Sequence, residues 1–546
     1  MNLSSTWSSP PSNYRELVTL YEKQFHAAVA NGIYVPWVQP YRSFGVYILI
    51  LYLLLPPSKS KVLYYARYPV FALAVYWCVS VIRDCRSPTV ATGYGVGLID
   101  AWSMLWLASL IIFNDGRNVF RRIEREEVVL KDNASADNSV HHQKDSLQNG
   151  VPEGQQLRAR STKSSKVLSP RNSGSASKSY GSRKCTWQHL PHKLSNRIDW
   201  VADLITNFRG TGWSHQIASI PGPPPTVLQD LGSTEFPPKS PCVSPTGNIR
   251  YDGPTSLLRY KFMTLILGYL ALDALKVVMM LDPYFWGLIT LPPPSYLPTL
   301  ITSSTILTRV YRLLLSLAGT YLGLNTIFAL GPVFFVGIVG PRILGTRAEA
   351  WQYPDAYGSY SSVFTKGLAG WWGGWWHQTF RFGFEAPTKW ACEKLGWDPK
   401  SMEGKTLGLL VAFGCSGCLH ACGSYTMWPS TNPLKGPLAF FWLQPVGIIS
   451  QMLIAGWMKK LGIREKLPTW VRGLGNFVFV HVWMYYTAPL LTDDFAKGGI
   501  WLFEPVPVSL LRGLGLGLEG EGWWCWHRRI VGWHWGERWW QSGIYA

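Results

Sequence analysis

Two histidines stand where an imidazole could do chemistry. His420 follows the apolar run Val411-Ala-Phe-Gly-Cys-Ser-Gly-Cys-Leu419 and is expected well inside a helix. Residues three and four positions away share its face, here Ser416, Gly417, Gly423 and Ser424. All four are small, so the ring is expected beside an open lane that a substrate could enter. Ionisable groups at bilayer depth are costly and invite a functional reading. Histidine suits general-base work because its ordinary pKa lies near neutrality. The same pattern also fits a histidine that hydrogen-bonds a neighbouring helix while small residues serve close packing. The pattern alone leaves both readings open.

His377 stands in Trp371-Trp-Gly-Gly-Trp-Trp-His377-Gln378-Thr-Phe-Arg381. A helical reading places Gly373, Gly374 and Arg381 on its face, and Arg381 can pair with a phosphate. The competing reading is an interfacial tryptophan belt with a snorkelling arginine. Asp273 and Lys276, one helical turn apart, read as a structural ion pair, with Tyr269 one turn earlier. Asp100 reads as a helix–helix hydrogen bond in preference to a proton relay. His481, with Tyr485 one turn later, reads as a satisfied core histidine. Cys415-x-x-Cys418 lacks the βαβ context of a redox pair. There is no zinc signature, phosphate-cradling glycine loop, nucleophile elbow or dinucleotide fingerprint in a fitting context, so no metal is required.

The elements that must position these residues are hydrophobic helices. The 546-residue chain is 47% hydrophobic and only 15% charged, against about 25% charged in a soluble domain. A crossing helix needs about 20 mostly apolar residues. Candidates are Val38–Leu55, Tyr68–Ile82, Val90–Phe113, Phe262–Leu281, Leu313–Val339, Leu407–Met427, Pro437–Met458 and Trp470–Leu491, while Ile500–Leu518 reads as re-entrant or interfacial. The expectation is an all-α polytopic membrane protein of about eight spans, with surface amphipathic helices. One of these begins at Ile198 and ends at Gly210. The net charge of +19 flanks apolar spans instead of lining one face, which points to anionic head groups and not to nucleic acid.

Five regions follow: a polar N-terminal segment 1–37, early spans 38–113, a basic and largely disordered loop 114–196, a membrane core 197–518 and a Trp-rich interfacial tail 519–546. Disorder is expected for Lys131–Lys184, rich in Ser, Lys, Asn and Gln. Arg117, Arg121, Arg122 and Arg125 place that loop in the cytosol. No early apolar core marks a cleavable signal, so the first span is expected to serve as the targeting signal.

The helix ending in Cys-Leu-His420, the Trp-Trp-His377-Gln378-x-x-Arg381 segment upstream and Asn207-Phe-Arg-Gly-Thr-Gly-Trp213 together resemble the fungal wax-synthase-like branch of the membrane-bound O-acyltransferases. The resemblance covers Arg197 to Leu518. It implies a helical bundle around a tunnel in which an acyl-CoA and an apolar alcohol meet at the family histidine, here His420. The second polar position of the family maps onto His377. Gly373-Gly374 stands where a basic pair is commoner, and Trp371 where phenylalanine is commoner. The residues expected to meet the coenzyme are Arg381, Gln378 and Trp376. The resemblance implies no permanently bound cofactor, with acetyl-CoA or another acyl-CoA as co-substrate.

The expected partners are the lipid bilayer, the acyl-CoA and a hydrophobic alcohol acceptor, with the oligomeric state left open. The expected location is the endoplasmic reticulum membrane. The expected reaction is acetyl transfer to a terpenoid-type secondary metabolite, with long-chain wax-ester synthesis as the alternative. A secondary transporter using Asp100, Asp273, Lys276 and the histidines is the rival of another class. Such transporters show matching broken helices in two halves, and the sequence shows none.

Overall fold

The computed structural model describes residues 11, 13–127, 183–232, 241–429, 431–526 and 531–545. Among them, six helices are long and apolar enough to cross a membrane: Lys61–Asp84, Ala91–Ile111, Pro254–Met280, Thr305–Val339, Met402–Thr426 and Leu434–Lys460. The other two expected spans are helical but do not reach that standard. Tyr41–Leu53 is short, stopping ahead of Pro56-Pro57. Thr469–Thr487 ends where Pro489 opens a separate helix, Pro489–Lys497, because proline cannot donate to the preceding turn.

The fold is mostly helical and not wholly so. Among the described residues three two-stranded ladders tie loops and the terminal regions: Val35–Pro36 with Cys85–Arg86, Arg122–Glu127 with Arg183–Gln188, and Gly532–His534 with Gly543–Tyr545. The second ladder brackets residues 128–182, so the disorder expected over Lys131–Lys184 falls almost wholly outside the described residues. In the Trp-rich tail, Gln39 and Ile544 exchange backbone hydrogen bonds of 2.7 and 3.1 Å, joining it to the N-terminal region.

The expected surface helix is Leu194–Thr206, and its apolar face is covered by protein, not by head groups. Trp200, Val201 and Leu204 are buried in one cluster with Leu53, Trp106 and Trp213. Asp273 and Lys276 also depart from expectation, since they do not pair with each other. Lys276 Nζ donates to the carbonyls of Trp501 and Phe503 at 2.7 and 2.9 Å. Asp273 accepts from the Ser509 hydroxyl and from Leu511 N–H. Both charges clamp the segment after Ile500, and this explains why Ile500–Leu518 settles into short turns against the Pro254–Met280 helix instead of re-entering as a helix of its own.

The helix that carries His420, Met402–Thr426, starts where the Ser401 side chain accepts Gly404 N–H at 3.1 Å, an N-cap that satisfies one orphan donor. It lies very close to the Val90–Ile111 helix. A Cβ on Gly97 would stand 1.9 Å from the Cys422 carbonyl oxygen. Gly97 N–H donates to Thr426 Oγ1 at 2.9 Å, and that hydroxyl donates to the Gly93 carbonyl at 2.8 Å. Close backbones joined by a hydroxyl are the usual way apolar helices associate without a hydrophobic drive.

Replacing Gly97 with Val must push these two helices apart. The expected loss is about 1–3 kcal/mol of stability, as for other overpacked sites, read as a lowered melting temperature in detergent. Gly456→Ala is the control, because a Cβ there meets nothing within 4 Å.

Candidate active site

His420 is held by its own helix. Its Nδ1 lies 2.9 Å from the carbonyl oxygen of Ser416, one turn earlier. A carbonyl only accepts, so Nδ1 carries the proton and Nε2 presents a lone pair. Among the described residues Nε2 has no hydrogen-bond partner, and the ring keeps partial accessibility. Phe441 lies against it at 4.4 Å between ring centroids, and Tyr94 approaches edge-on at 6.4 Å. His481 makes the contrast clear. Its Nδ1 bonds the Phe477 carbonyl in the same way, but its Nε2 is taken by the Tyr360 hydroxyl at 3.1 Å. That ring is satisfied on both sides, through Tyr360 and not Tyr485.

The expected open lane beside His420 is filled by neighbouring side chains. A Cβ on Gly417 would meet Leu438 and Phe441 at 3.0 and 3.3 Å, and one on Gly423 would meet the Tyr94 ring at 2.7 Å. These glycines serve close packing. Access to His420 is therefore not along that lane.

The His377 segment is not one helix. Ser361–Gly370 kinks at Gly367, whose φ of 61° belongs to the left-handed region that favours glycine. The kink frees Leu368 N–H to donate to Gln451 Oε1 at 2.8 Å. A π-helical turn, Trp371–Trp375, follows, and the chain then becomes extended at Trp376 before a new helix starts at Arg381. His377 therefore stands on the break and shares no helical face with Gly373, Gly374 or Arg381. Gln378 is the staple that holds the break. Its amide donates to the carbonyls of Trp372 and Trp376, both at 2.7 Å, and its Oε1 accepts from Arg381 Nη1 at 3.0 Å. Both amide hydrogens are used within the fold. Arg381 is half-buried and paired with Glu385 at 2.7 Å.

A wall of rings runs between the two histidines. His377 adjoins Trp376 at 5.5 Å, Trp376 adjoins Trp372 at 6.1 Å, and Trp372 adjoins Phe441, the ring against His420, at 5.8 Å. His420 and Arg209 are the titratable neighbours that act on His377. The imidazole of His377 is driven by burial, and then by those two neighbours, down to about 3, so it is neutral across the physiological range. Its Nδ1 is buried without a partner, as is the hydroxyl of Tyr357, whose ring meets His377 edge-on at 5.9 Å.

Four residues beside the site were not singled out from the sequence. Arg209 donates to the carbonyls of Asp355 and Pro354 at 2.6 and 2.8 Å, and Asn248 donates to those of Asp355 and Tyr357. Together they fix the loop that presents Tyr357. Arg209 lies inside Asn207-Phe-Arg-Gly-Thr-Gly-Trp213, so its motif was visible although its role was not. Tyr94 and Tyr357 carry no local signal. No group of His, Cys, Asp and Glu able to hold a metal occurs among the described residues.

Residues 353–443 match the membrane bound O-acyl transferase family, and this stretch holds both His377 and His420. The chain is 29% identical over 170 residues to an acetyltransferase of Aspergillus terreus, covering 30% of this chain and 53% of that one. It is 31% identical over 150 residues to an acetyltransferase of Rhodocybe pseudopiperita, covering 27% and 38%. To an O-mevalon transferase of Penicillium terrestre it is 25% identical over 341 residues, covering 58% and 64%. The chain thus spans less than two thirds of the length of these curated relatives. No solved structure matches it. A polytopic membrane protein with an acyltransferase-type segment is the class that the helices and these similarities support.

Because the folded-state pKa of His377 lies below its ordinary 6.5, the unfolded chain takes up a proton first as pH falls. Stability should therefore drop as pH is lowered from about 6.5 towards 3. His377→Asn should flatten part of that slope in denaturation midpoints measured against pH. His215, depressed likewise by burial, should keep the remainder.

Proposed function

We propose that the chain is an acyl-CoA-dependent O-acyltransferase that moves an acyl group, acetyl in preference, onto a hydroxyl of a hydrophobic acceptor such as a terpenoid-type secondary metabolite. The observation that carries this reading is the free Nε2 of His420, on a partly accessible ring that the Ser416 carbonyl fixes as a base. An alcohol is a poor nucleophile until a positioned base removes its proton. Nε2 takes that proton as the hydroxyl oxygen attacks the thioester carbonyl. The oxygen of that carbonyl becomes an oxyanion, for which a ring N–H of neutral His377 or the indole N–H of Trp376 is the candidate donor. The C–S bond then breaks, and the coenzyme thiolate takes back the proton from His420. An aromatic wall keeps water from the thioester.

Gln378 enters this scheme as the residue that holds Trp376 and His377 in place. Arg381 lies at the entry for the polyanionic coenzyme, with Glu385 as its partner until phosphate arrives. The tunnel is formed within residues 197–518, and the enzyme works in the endoplasmic reticulum membrane with its basic loop in the cytosol. The small donor is favoured by the dense indoles around His377. A transporter would need Asp273 and Lys276 for its path, but both are committed to the segment after Ile500.

The test is purified protein with labelled acetyl-CoA and a panel of terpenoid alcohols, comparing wild type with His420→Ala. Removing a general base is expected to lower transfer by about 10²–10⁴-fold, with the melting temperature and coenzyme binding kept. Turnover of the variant within a few fold of wild type would remove His420 from its role. Palmitoyl-CoA should be a poorer donor than acetyl-CoA, and the reverse result would favour wax-ester synthesis.

A further inference from the structure

The two ends of one spanning helix sort the loops and the tail by membrane face. Ala91–Ile111 is long and apolar enough to cross, with 21 residues. They rise about 32 Å, close to the thickness of the hydrocarbon core. Just before this helix, Cys85–Arg86 pairs with Val35–Pro36, and Gln39 exchanges backbone hydrogen bonds with Ile544 of the tail hairpin. Beyond its other end, Arg122–Glu127 pairs with Arg183–Gln188. The neighbouring helix agrees. Arg117, just past Ile111, donates to the carbonyls of Leu55 and Pro56 at 2.8 and 2.7 Å. The Tyr41–Leu53 helix therefore starts on the hairpin's side and ends on the ladder's side. The hairpin and the ladder stand on opposite faces.

The hairpin also sits at the depth where lipid begins. Trp539 meets Tyr41 edge-on at 5.7 Å between ring centroids, and Tyr41 is the first residue of the apolar helix Tyr41–Leu53. Phe44, Tyr47 and Leu51 follow at helical spacing, and all three are exposed. They form the stripe that this helix turns to lipid, and Trp539 lies at its head. In the hairpin, Trp533 stands opposite Ile544, so both side chains leave from one face. They are 52% and 49% exposed, while Trp535 is 81% exposed and Trp539 is 71% exposed. Arg538 holds its guanidinium over the Trp540 ring at 5.1 Å.

A bare aromatic surface continuous with a lipid-facing stripe needs a partner that is apolar on one side and polar on the other. The head-group boundary of a phospholipid bilayer is such a partner. Indole brings an apolar body and one N–H donor to it, and Arg538 brings a cation for the phosphates. We propose that the Gly532–Tyr545 hairpin is a phospholipid-binding anchor, seated at the head-group boundary on the membrane face opposite the Arg122–Glu127 ladder. With the basic loop in the cytosol, as proposed above, this face is lumenal. The anchor answers a local need. The Tyr41–Leu53 helix rises only about 20 Å, and a span shorter than the hydrocarbon core is held by aromatic groups at the interface.

Sidedness is read in sealed microsomes from full-length protein carrying one epitope after Gly150 and another after Ala546. Protease should remove one epitope and spare the other, and detergent should expose both. A cytosolic loop makes the tail epitope the protected one. The reverse result still supports opposite faces and overturns only the orientation given to the loop. Loss of both epitopes in sealed vesicles, or protection of both, would contradict the anchor's placement. Lipid contact is read with the photoprobe p-benzoylphenylalanine at position 535, in nanodiscs of phosphatidylcholine and phosphatidylserine. The same probe at position 51 is the reference. Light should attach phospholipid at 535 with a yield within about threefold of that at 51. A probe at 535 that captures no lipid, or captures a second protein chain instead, would overturn the anchor. Neither readout needs turnover, so failure of the acyl-transfer reading leaves this one standing.

Discussion

The hydrogen bond from His420 Nδ1 to the Ser416 carbonyl is the contact on which the rest of the site depends. It is a bond within one helix, so no partner element has to arrive for it to form. It settles which nitrogen is the donor and leaves the other for chemistry. His481 forms the same bond to Phe477 and then spends its second nitrogen on Tyr360. The two rings differ by one tyrosine hydroxyl: it occupies Nε2 of His481, while Nε2 of His420 has no partner among the described residues. The neighbours of His420 that could play that part do not: Phe441 has no hydroxyl, and the hydroxyl of Tyr94 has no partner.

Holding the ring in place is the task of the surrounding helices. Gly97 and Thr426 bring two helices into backbone contact, and Leu438 and Phe441 close the other flank over Gly417. On the far side of the aromatic wall, a kink, a π-helical turn and an extended residue succeed one another within Gly367–Trp376. That broken backbone is stable because side-chain amides replace the missing ladder bonds: Gln451 at Leu368 and Gln378 at Trp372 and Trp376. Irregular backbone amid apolar helices persists only where it is buried in protein or lines a cavity, and here it is packed among the rings around His377.

Much of this was legible in the residues. Apolar runs located the six helices long enough to cross a membrane because their length and composition leave little alternative, and the placement of His420 inside a helix followed from the run before it. What was not legible depended on contacts distant in sequence. Whether Gly417 and Gly423 line a lane or receive a neighbour is decided by Leu438, Phe441 and Tyr94, far along the chain. Asp273 and Lys276, one turn apart, looked self-sufficient, yet each finds a better partner beyond Ile500. The Leu194–Thr206 helix has the amphipathic pattern of a membrane-surface helix, and periodicity cannot say whether lipid or Leu53 and Trp213 will cover its apolar face. The break at Trp376 was hidden because glycines and tryptophans are compatible with a helix until tertiary hydrogen bonds outweigh it.

The claim at the centre is that one imidazole is delivered as a fixed base with a bare Nε2. Nitrogen NMR of protein carrying ¹⁵N-histidine, with the His420 signals assigned by His420→Ala, reads this directly. The account predicts the proton on Nδ1 and the chemical shift of an unprotonated ring nitrogen at Nε2. A proton found on Nε2, with Nδ1 bare, would contradict it.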